Sequence, residues 1–386
     1  MHTAMQEKRR KKVFVGMSGG VDSSVAAMLL RDEGHDVVGV FMRCYNLDGC
    51  AERDAEDARR VAEHVGIPFY VWDFEQEYKD RVVRYMIEGY RAGITPNPDV
   101  MCNREIKFGI FLEKALATGA DYVAMGHYVR LEEKNAEAYD PRAPQGKVFS
   151  LFTAQDGNKD QSYFLWTLTQ AQLAHCMFPL GEHVKPAVRA MARAAGLQTA
   201  DKKDSQGICF LGQVTIADFL KQYIPERRGA LVTTAGERIG EHSGTEFYTI
   251  GQRHLDADFT FPKTGGPGAR AAFYVASKDA AANTVTLAEG SEHPALYKSE
   301  IEIANCNFIR TDGKFSVGGS SDENVGRLAV LARVRYRQPL SSAHLSRLKN
   351  GNCVLVFEKP QKFVASGQSA VWYSEEGEVV GGGVIL

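Results

Sequence analysis

The feature that most constrains this chain is a short turn, Ser18-Gly19-Gly20-Val21-Asp22-Ser23, set directly between an apolar run and a helical pattern. Val13 to Met17 reads as a buried strand, and Ser23 to Arg31 places Val25, Met28 and Leu29 on one helical face before a stop at Gly34. The alternation continues with a strand over Val37 to Met42, a helix over Ala51 to Val65 ending at Gly66, and a strand over Pro68 to Phe74. A helix over Tyr78 to Tyr90 and a strand over Asp121 to Met125 follow. Strands and helices in such alternation predict βαβ units and a parallel sheet.

Past Gly212 the pattern changes to a helix around Ile216 to Tyr223 and short β runs separated by glycines, including Gly265-Gly266-Pro267-Gly268. From Glu300 to Leu386 almost every run alternates in the manner of strands, which predicts a small β-barrel. The expected organisation is therefore an α/β domain over 1–211, a small α+β linking domain over 212–292 and a C-terminal barrel over 293–386.

With 44% hydrophobic and 24% charged residues the chain has the composition of a globular protein, and no apolar run approaches the ~20 residues of a membrane span. The basic cluster Lys8 to Lys12 has no apolar segment behind it, so it reads as a disordered tail rather than a secretory signal, and a cytoplasmic location is expected. Seven cysteines without a Cys-x-x-Cys pair argue against a disulfide framework, structural zinc or a ligated iron-sulfur cluster; no resident metal is expected. A formal charge of −2 means that any nucleic-acid surface must be local.

The turn after the first strand can hold an anion on backbone N–H groups and the helix dipole, with hydroxyls of Ser18, Ser23 and Ser24 as further donors. It has neither the lysine of a Walker loop nor the spacing of a dinucleotide fingerprint, and looks like the loop of enzymes that split ATP into AMP and pyrophosphate. Asp22 would help to position Mg2+ beside the phosphates. Thr95-Pro96-Asn97-Pro98-Asp99 reads as a stiff exposed loop leading into a helix that begins near Asn103, which would put Cys102 near a helix N-terminus and lower its pKa. Cys209 lies in the polar loop Asp204-Ser205-Gln206-Gly207-Ile208-Cys209-Phe210, where Lys202 and Lys203 would favour a thiolate.

These strings, with Gly126-His127-Tyr128, Lys159-Asp160-Gln161-Ser162-Tyr163, Thr249 to Arg253, Arg335 to Gln338 and Gly367 to Val371, resemble the bacterial tRNA-specific 2-thiouridylase (MnmA/TrmU) family along nearly the whole chain. The resemblance implies an ATP-pyrophosphatase (PP-loop) domain and thiolation at carbon 2 of the wobble uridine, position 34, in tRNAs for lysine, glutamate and glutamine. It implies ATP contacts at Gly16, Met17, Ser18, Gly19, Gly20, Val21, Asp22, Ser23, Met42 and Gly126, and a target-base loop of Asn97, Pro98 and Asp99, with Asp99 as general acid/base. Cys209 would carry a persulfide, and Cys102 would discharge it and end in a disulfide with Cys209. His127, Lys159, Asp160, Gln161, Arg335, Tyr336 and Gln368 would meet tRNA. The implied partners are the tRNA anticodon arm and a sulfur donor, either a cysteine desulfurase or a relay protein; a monomer is expected.

Arg333, Arg335 and Arg337 alternate in a run that reads as a strand, so their guanidiniums would share one phosphate-facing side. Cys44 and Cys50 read as structural thiols, and 255–271 departs from the family's glycine-rich pattern. Two rivals remain open at this point. Another ATP-pyrophosphatase, such as a tRNA lysidine synthetase or argininosuccinate synthetase, would not need Cys102 and Cys209, and a tRNA-binding homologue could keep the fold without turnover.

Overall fold

The computed structural model describes residues 10–45, 49–135, 146–204, 214–255, 257–259, 272–309 and 327–386. Outside them lie Cys209 and its loop from Ser205, the tail before Arg10, the Gly265 to Gly268 run and nearly all of the divergent 255–271 segment. The chain divides into two compact units, one of Met1–Lys79 with Asp99–Gly212 and one of Asp80–Pro98 with Gln213–Leu386.

The first unit holds strand β1 (Lys12–Gly16), helix α1 (Val21–Asp32), strand β2 (Asp36–Arg43), helix α2 (Cys50–Val65), strand β3 (Phe69–Asp73) and strand β4 (Tyr122–Ala124). The sheet runs β3-β2-β1-β4 and ends on the short strand Cys176–Met177, with every pairing parallel. Val13, Val15 and Met17 of the first strand region are sealed by Val25, Ala26 and Leu30 of α1 and by Ala58, Val61 and Ala62 of α2. From β1 the chain builds outward to β2 and β3 on one side and then returns to place β4 on the other, so the strand order reverses at β1. Open parallel sheets bind ligands at such a point, outside the carboxyl ends of the strands, and the Ser18–Ser23 turn leaves β1 at that end.

Two helices differ from the sequence reading. The expected 78–90 helix is three pieces, Glu75–Tyr78, a π-helical stretch Lys79–Val83, and Arg84–Arg91. The helix expected near Asn103 starts at Pro98 and continues through a π-helical stretch, Asn103–Ile110, into Phe111–Ala117. Proline suits a first helical position because its missing N–H would have no partner there, so Pro98 opens the helix instead of holding it off. Cys102 consequently sits one turn inside and is buried, at 5% exposure, not at the N-terminus.

The second unit contains a five-stranded sheet, in the order Asp258–Phe259, Arg238–His242, Gly229–Thr233, Thr284–Glu289, Phe273–Asp279. It also contains a closed barrel of Tyr297–Phe308, Leu328–Arg333, Ser341–Arg347, Cys353–Lys362, Ser369–Tyr373 and Val379–Ile385. Leu345, Leu355, Ala370 and Trp372 fill the barrel. The loop read as exposed is buried from Thr95 to Pro98 in this unit. Pro96 packs on Gly89, where a Cβ would lie 2.9 Å from the ring, and Thr95 N–H donates to Ser366 O at 2.8 Å.

The arginine row is also corrected. The strand stops at Arg333, and Arg337 takes φ +63°, so alternation ends before the second arginine. Arg333 is buried and donates to the Tyr373 hydroxyl at 2.8 Å. No described helix is long and apolar enough to cross a membrane.

Candidate active site

The turn after β1 is tied to itself by short hydrogen bonds. Ser18 N–H donates to Ser23 Oγ at 3.1 Å, and the Ser24 hydroxyl donates to Gly20 O at 2.8 Å. Gly19 has φ +70°, and a Cβ there would stand 2.3 Å from Asp54 O, so only glycine fits both the conformation and the space. A Cβ on Gly126 would stand 2.8 Å from Ser23 N and 2.9 Å from Asp22 C. At Gly16 it would meet Met125 Sδ at 2.7 Å and Met42 Cε at 3.0 Å. The fold thus gathers Gly16, Met42, Gly126, Asp22 and Ser23 around one turn.

Asp22 is not an open carboxylate. Lys185 Nζ lies 2.7 Å from each of its oxygens, and the Tyr128 hydroxyl donates to Oδ1 at 2.8 Å. The same ammonium lies 2.9 Å from Asp204 Oδ1, which also accepts from Arg189 at 2.7 Å, while Lys159 pairs with Oδ2. Burial works to raise the Asp204 carboxyl, but the hydrogen bonds from Lys159 and Lys185 outweigh it and bring its pKa down to about 2. Burial, reinforced by the Asp22 charge, pushes the Tyr128 phenol up, so it remains a donor.

Asp99 and Cys102 follow on the helix that Pro98 opens. Burial raises the Asp99 carboxyl above the usual range, against the opposing charge of Lys107. His127, which the resemblance assigns to tRNA contact, is buried against the rings of Phe108 and Phe178. Burial, and then Lys107, hold its pKa well below the usual value, so the imidazole is neutral.

Three further residues that the resemblance assigns to tRNA contact have internal partners. Lys159 pairs with Asp204, Asp160 accepts from Ala154 N–H and the Ser162 hydroxyl, and Gln161 Oε1 accepts from Tyr128 N–H at 3.1 Å. Lys202, expected to serve Cys209 as a cation, is paired with Asp54 at 2.7 Å and Asp57 at 2.6 Å on α2. In the second unit Arg335 donates to the carbonyls of Phe363 and Ile250, and Tyr336 lies under the Arg337 guanidinium. Gln368 donates to Thr95 O at 2.9 Å and Pro96 O at 3.1 Å.

The last contact has a measurable consequence. Gln368→Ala leaves two carbonyls of the buried loop without that donor and should cost about 1–3 kcal/mol in urea unfolding of the full chain. An unchanged midpoint would show that water replaces the amide.

Three family models cover the chain: a tRNA methyl transferase HUP domain over residues 11–213, a tRNA methyl transferase PRC-barrel domain over 217–289 and an aminomethyltransferase β-barrel domain over 299–385. Similar proteins include tRNA-specific 2-thiouridylase MnmA 2 of Geobacillus kaustophilus, 42% identical over 100% of this chain and 96% of its own length. The MnmA enzymes of Hydrogenovibrio crunogenus (40% identical, 100% of this chain, 96% of its own length) and Streptococcus mutans (42%, 99% and 96%) match as fully. The chain belongs to the tRNA-specific 2-thiouridylase family.

Membership in the 2-thiouridylase family agrees with the parallel-sheet domain, the middle domain and the closed barrel. Lys185, Asp204, Arg189 and Tyr128 escaped the sequence reading. Tyr128 and Asp204 lay inside quoted motifs without a role of their own, but Lys185 stands 163 positions from Asp22 in the chain, and no local pattern pairs them.

Proposed function

We propose that this chain uses ATP to adenylate the C2 oxygen of a tRNA wobble uridine and then replaces that oxygen with sulfur, in tRNAs for lysine, glutamate and glutamine. The observation that carries the reading is the glycine turn at the carboxyl end of β1, gathered with Met42 and Gly126, in a chain whose relatives are named tRNA-specific 2-thiouridylases. Backbone N–H groups at the start of α1 would hold the β- and γ-phosphates, and the α-phosphorus would take the uracil O2 with pyrophosphate leaving. Asp22 already accepts three hydrogen bonds, which leaves one of about four lone-pair sites, enough for one Mg2+ ligand. Magnesium so held would neutralise the phosphates.

Asn97, Pro98 and Asp99 would meet the target base, which has to leave the anticodon stack to react. Asp99, with its carboxyl raised by burial, would exchange a proton with the base. The terminal sulfur of a Cys209 persulfide attacks C2 and AMP departs with the former O2. Cys102 thiolate then attacks Cys209 Sγ, so the bond between the two persulfide sulfurs breaks and a Cys102–Cys209 disulfide forms, which an external thiol reduces. A cysteine desulfurase or relay protein supplies the persulfide, and the enzyme acts in the cytoplasm as a monomer. His127, Lys159, Asp160, Gln161, Arg335, Tyr336 and Gln368 would line or brace the tRNA-contacting segments.

The domain descriptions name methyl transfer, which gives a second product to look for. Mass spectrometry of nucleosides from tRNA incubated with the protein, ATP, Mg2+ and a persulfide source separates the two. We expect 2-thiouridine, and its loss in Cys209→Ser with tRNA binding retained. A methylated nucleoside, or no modified uridine, would overturn the proposal.

A further inference from the structure

The phosphate turn has no lysine of its own, yet one reaches it from the far end of the unit. Asp22 stands in the first turn of α1, and an unpaired carboxylate there would repel the anion that the same turn is shaped to receive. Lys185 holds both Asp22 oxygens at 2.7 Å, and its side chain is only 9% exposed. Three contacts fix its position. Its own N–H donates to Asp156 Oδ2 at 2.8 Å, its ammonium lies 2.9 Å from Asp204, and Val188 and Ala192 of its helix, Lys185–Ala194, are buried in the same core as α1. Lys159 and Arg189 hold Asp204 from its other sides, so the group comprises three cations against Asp22 and Asp204.

We propose that Lys185 is a positioning residue that neutralises and orients Asp22, so that the Ser18–Ser23 turn accepts a polyphosphate anion. The proposal rests on the turn being a pyrophosphate site, and does not depend on thiolation. It assigns Lys185 an electrostatic role through Asp22 rather than a direct contact with phosphate.

The test is isothermal titration of the full chain with inorganic pyrophosphate and, separately, AMP, in EDTA so that no metal contributes. Lys185→Met should weaken pyrophosphate at least about tenfold and AMP by much less, because pyrophosphate carries more negative charge and is the ligand that the turn beside Asp22 is proposed to hold. Lys185→Arg should keep the wild-type ratio. Adding Asp22→Asn to Lys185→Met should restore most of the pyrophosphate affinity, a rescue that a merely structural lysine would not show.

Equal losses for both ligands, an unchanged pyrophosphate affinity, or selective loss without rescue by Asp22→Asn would each overturn the proposal. If Lys185→Met does not fold, Asp22→Asn is compared with the double variant. Once Asp22 is neutral, removal of the lysine should change pyrophosphate affinity by less than about threefold, and a tenfold loss there overturns the proposal. A wild-type chain that binds no pyrophosphate removes the phosphate reading of the turn itself.

Discussion

Gly126→Val should lower AMP formation from ATP by about 10²-fold or more while the chain still folds and binds tRNA. A Cβ at this position stands 2.8 Å from Ser23 N and 2.9 Å from Asp22 C, and both are backbone atoms at the start of α1 that cannot swing aside as a side chain would. The clash must push the loop after β4 and the phosphate turn apart. Nucleotide binding then loses its shape before the core of Val13, Val15 and Val25 is touched. Gly126→Ala should fall between valine and wild type. The measurement is AMP release by chromatography, with circular dichroism and tRNA binding as controls, and full activity in Gly126→Val would sink the assignment of this turn to ATP.

Asp99→Asn should reduce 2-thiouridine formation by at least about 10²-fold, the usual size of a lost general acid/base, and should change the pH dependence of stability in a defined direction. Burial raises the Asp99 carboxyl in the folded chain, with Lys107 opposing. The folded state therefore binds this proton more tightly than the unfolded chain does. Its favourable contribution is complete below the unfolded value of about 4 and is lost as pH rises through the folded value. Asparagine imitates the protonated form and removes that slope. Urea unfolding from pH 4 to 8 should show the variant gaining on wild type as pH rises; a parallel pair of curves would mean that Asp99 is not strained by its ionisation.

The two effects are of different kinds. Gly126 acts by occupying no space, and its loss is steric. Asp99, in the proposed role, would act by its proton, so the same variant that gains stability at neutral pH should lose turnover.

How much of this was legible beforehand depended on the range of the forces involved. The strand-turn-helix unit from Lys12 to Asp32 could be read because hydrophobic periodicity and the φ freedom of Gly19 are local properties. The barrel could be read for the same reason, since alternation in runs such as Cys353 to Phe357 reports one buried face. The arginine row failed where alternation failed: Arg337 at φ +63° breaks the period on which the inference stood. Pro96 and Pro98 read as stiffening an exposed loop, but nothing local says that Ser366 and Gln368 come back to satisfy its carbonyl and N–H groups and bury it. The same holds for His127, whose neutral state comes from burial against Phe108 and Phe178.

By itself the sequence determined the alternation of strands and helices in the first unit, the glycine turn between β1 and α1, and the membership that its motifs announced. Only the tertiary structure decided that Asp22 is paired with Lys185 and that Lys202 is paired with Asp54 and Asp57. It also decided that Cys102 lies a turn inside its helix. The physical reason is that dihedral preferences and apolar periodicity act between near neighbours in the chain, whereas an ion pair or a buried carboxyl depends on which distant residue the packed core brings within a few ångströms.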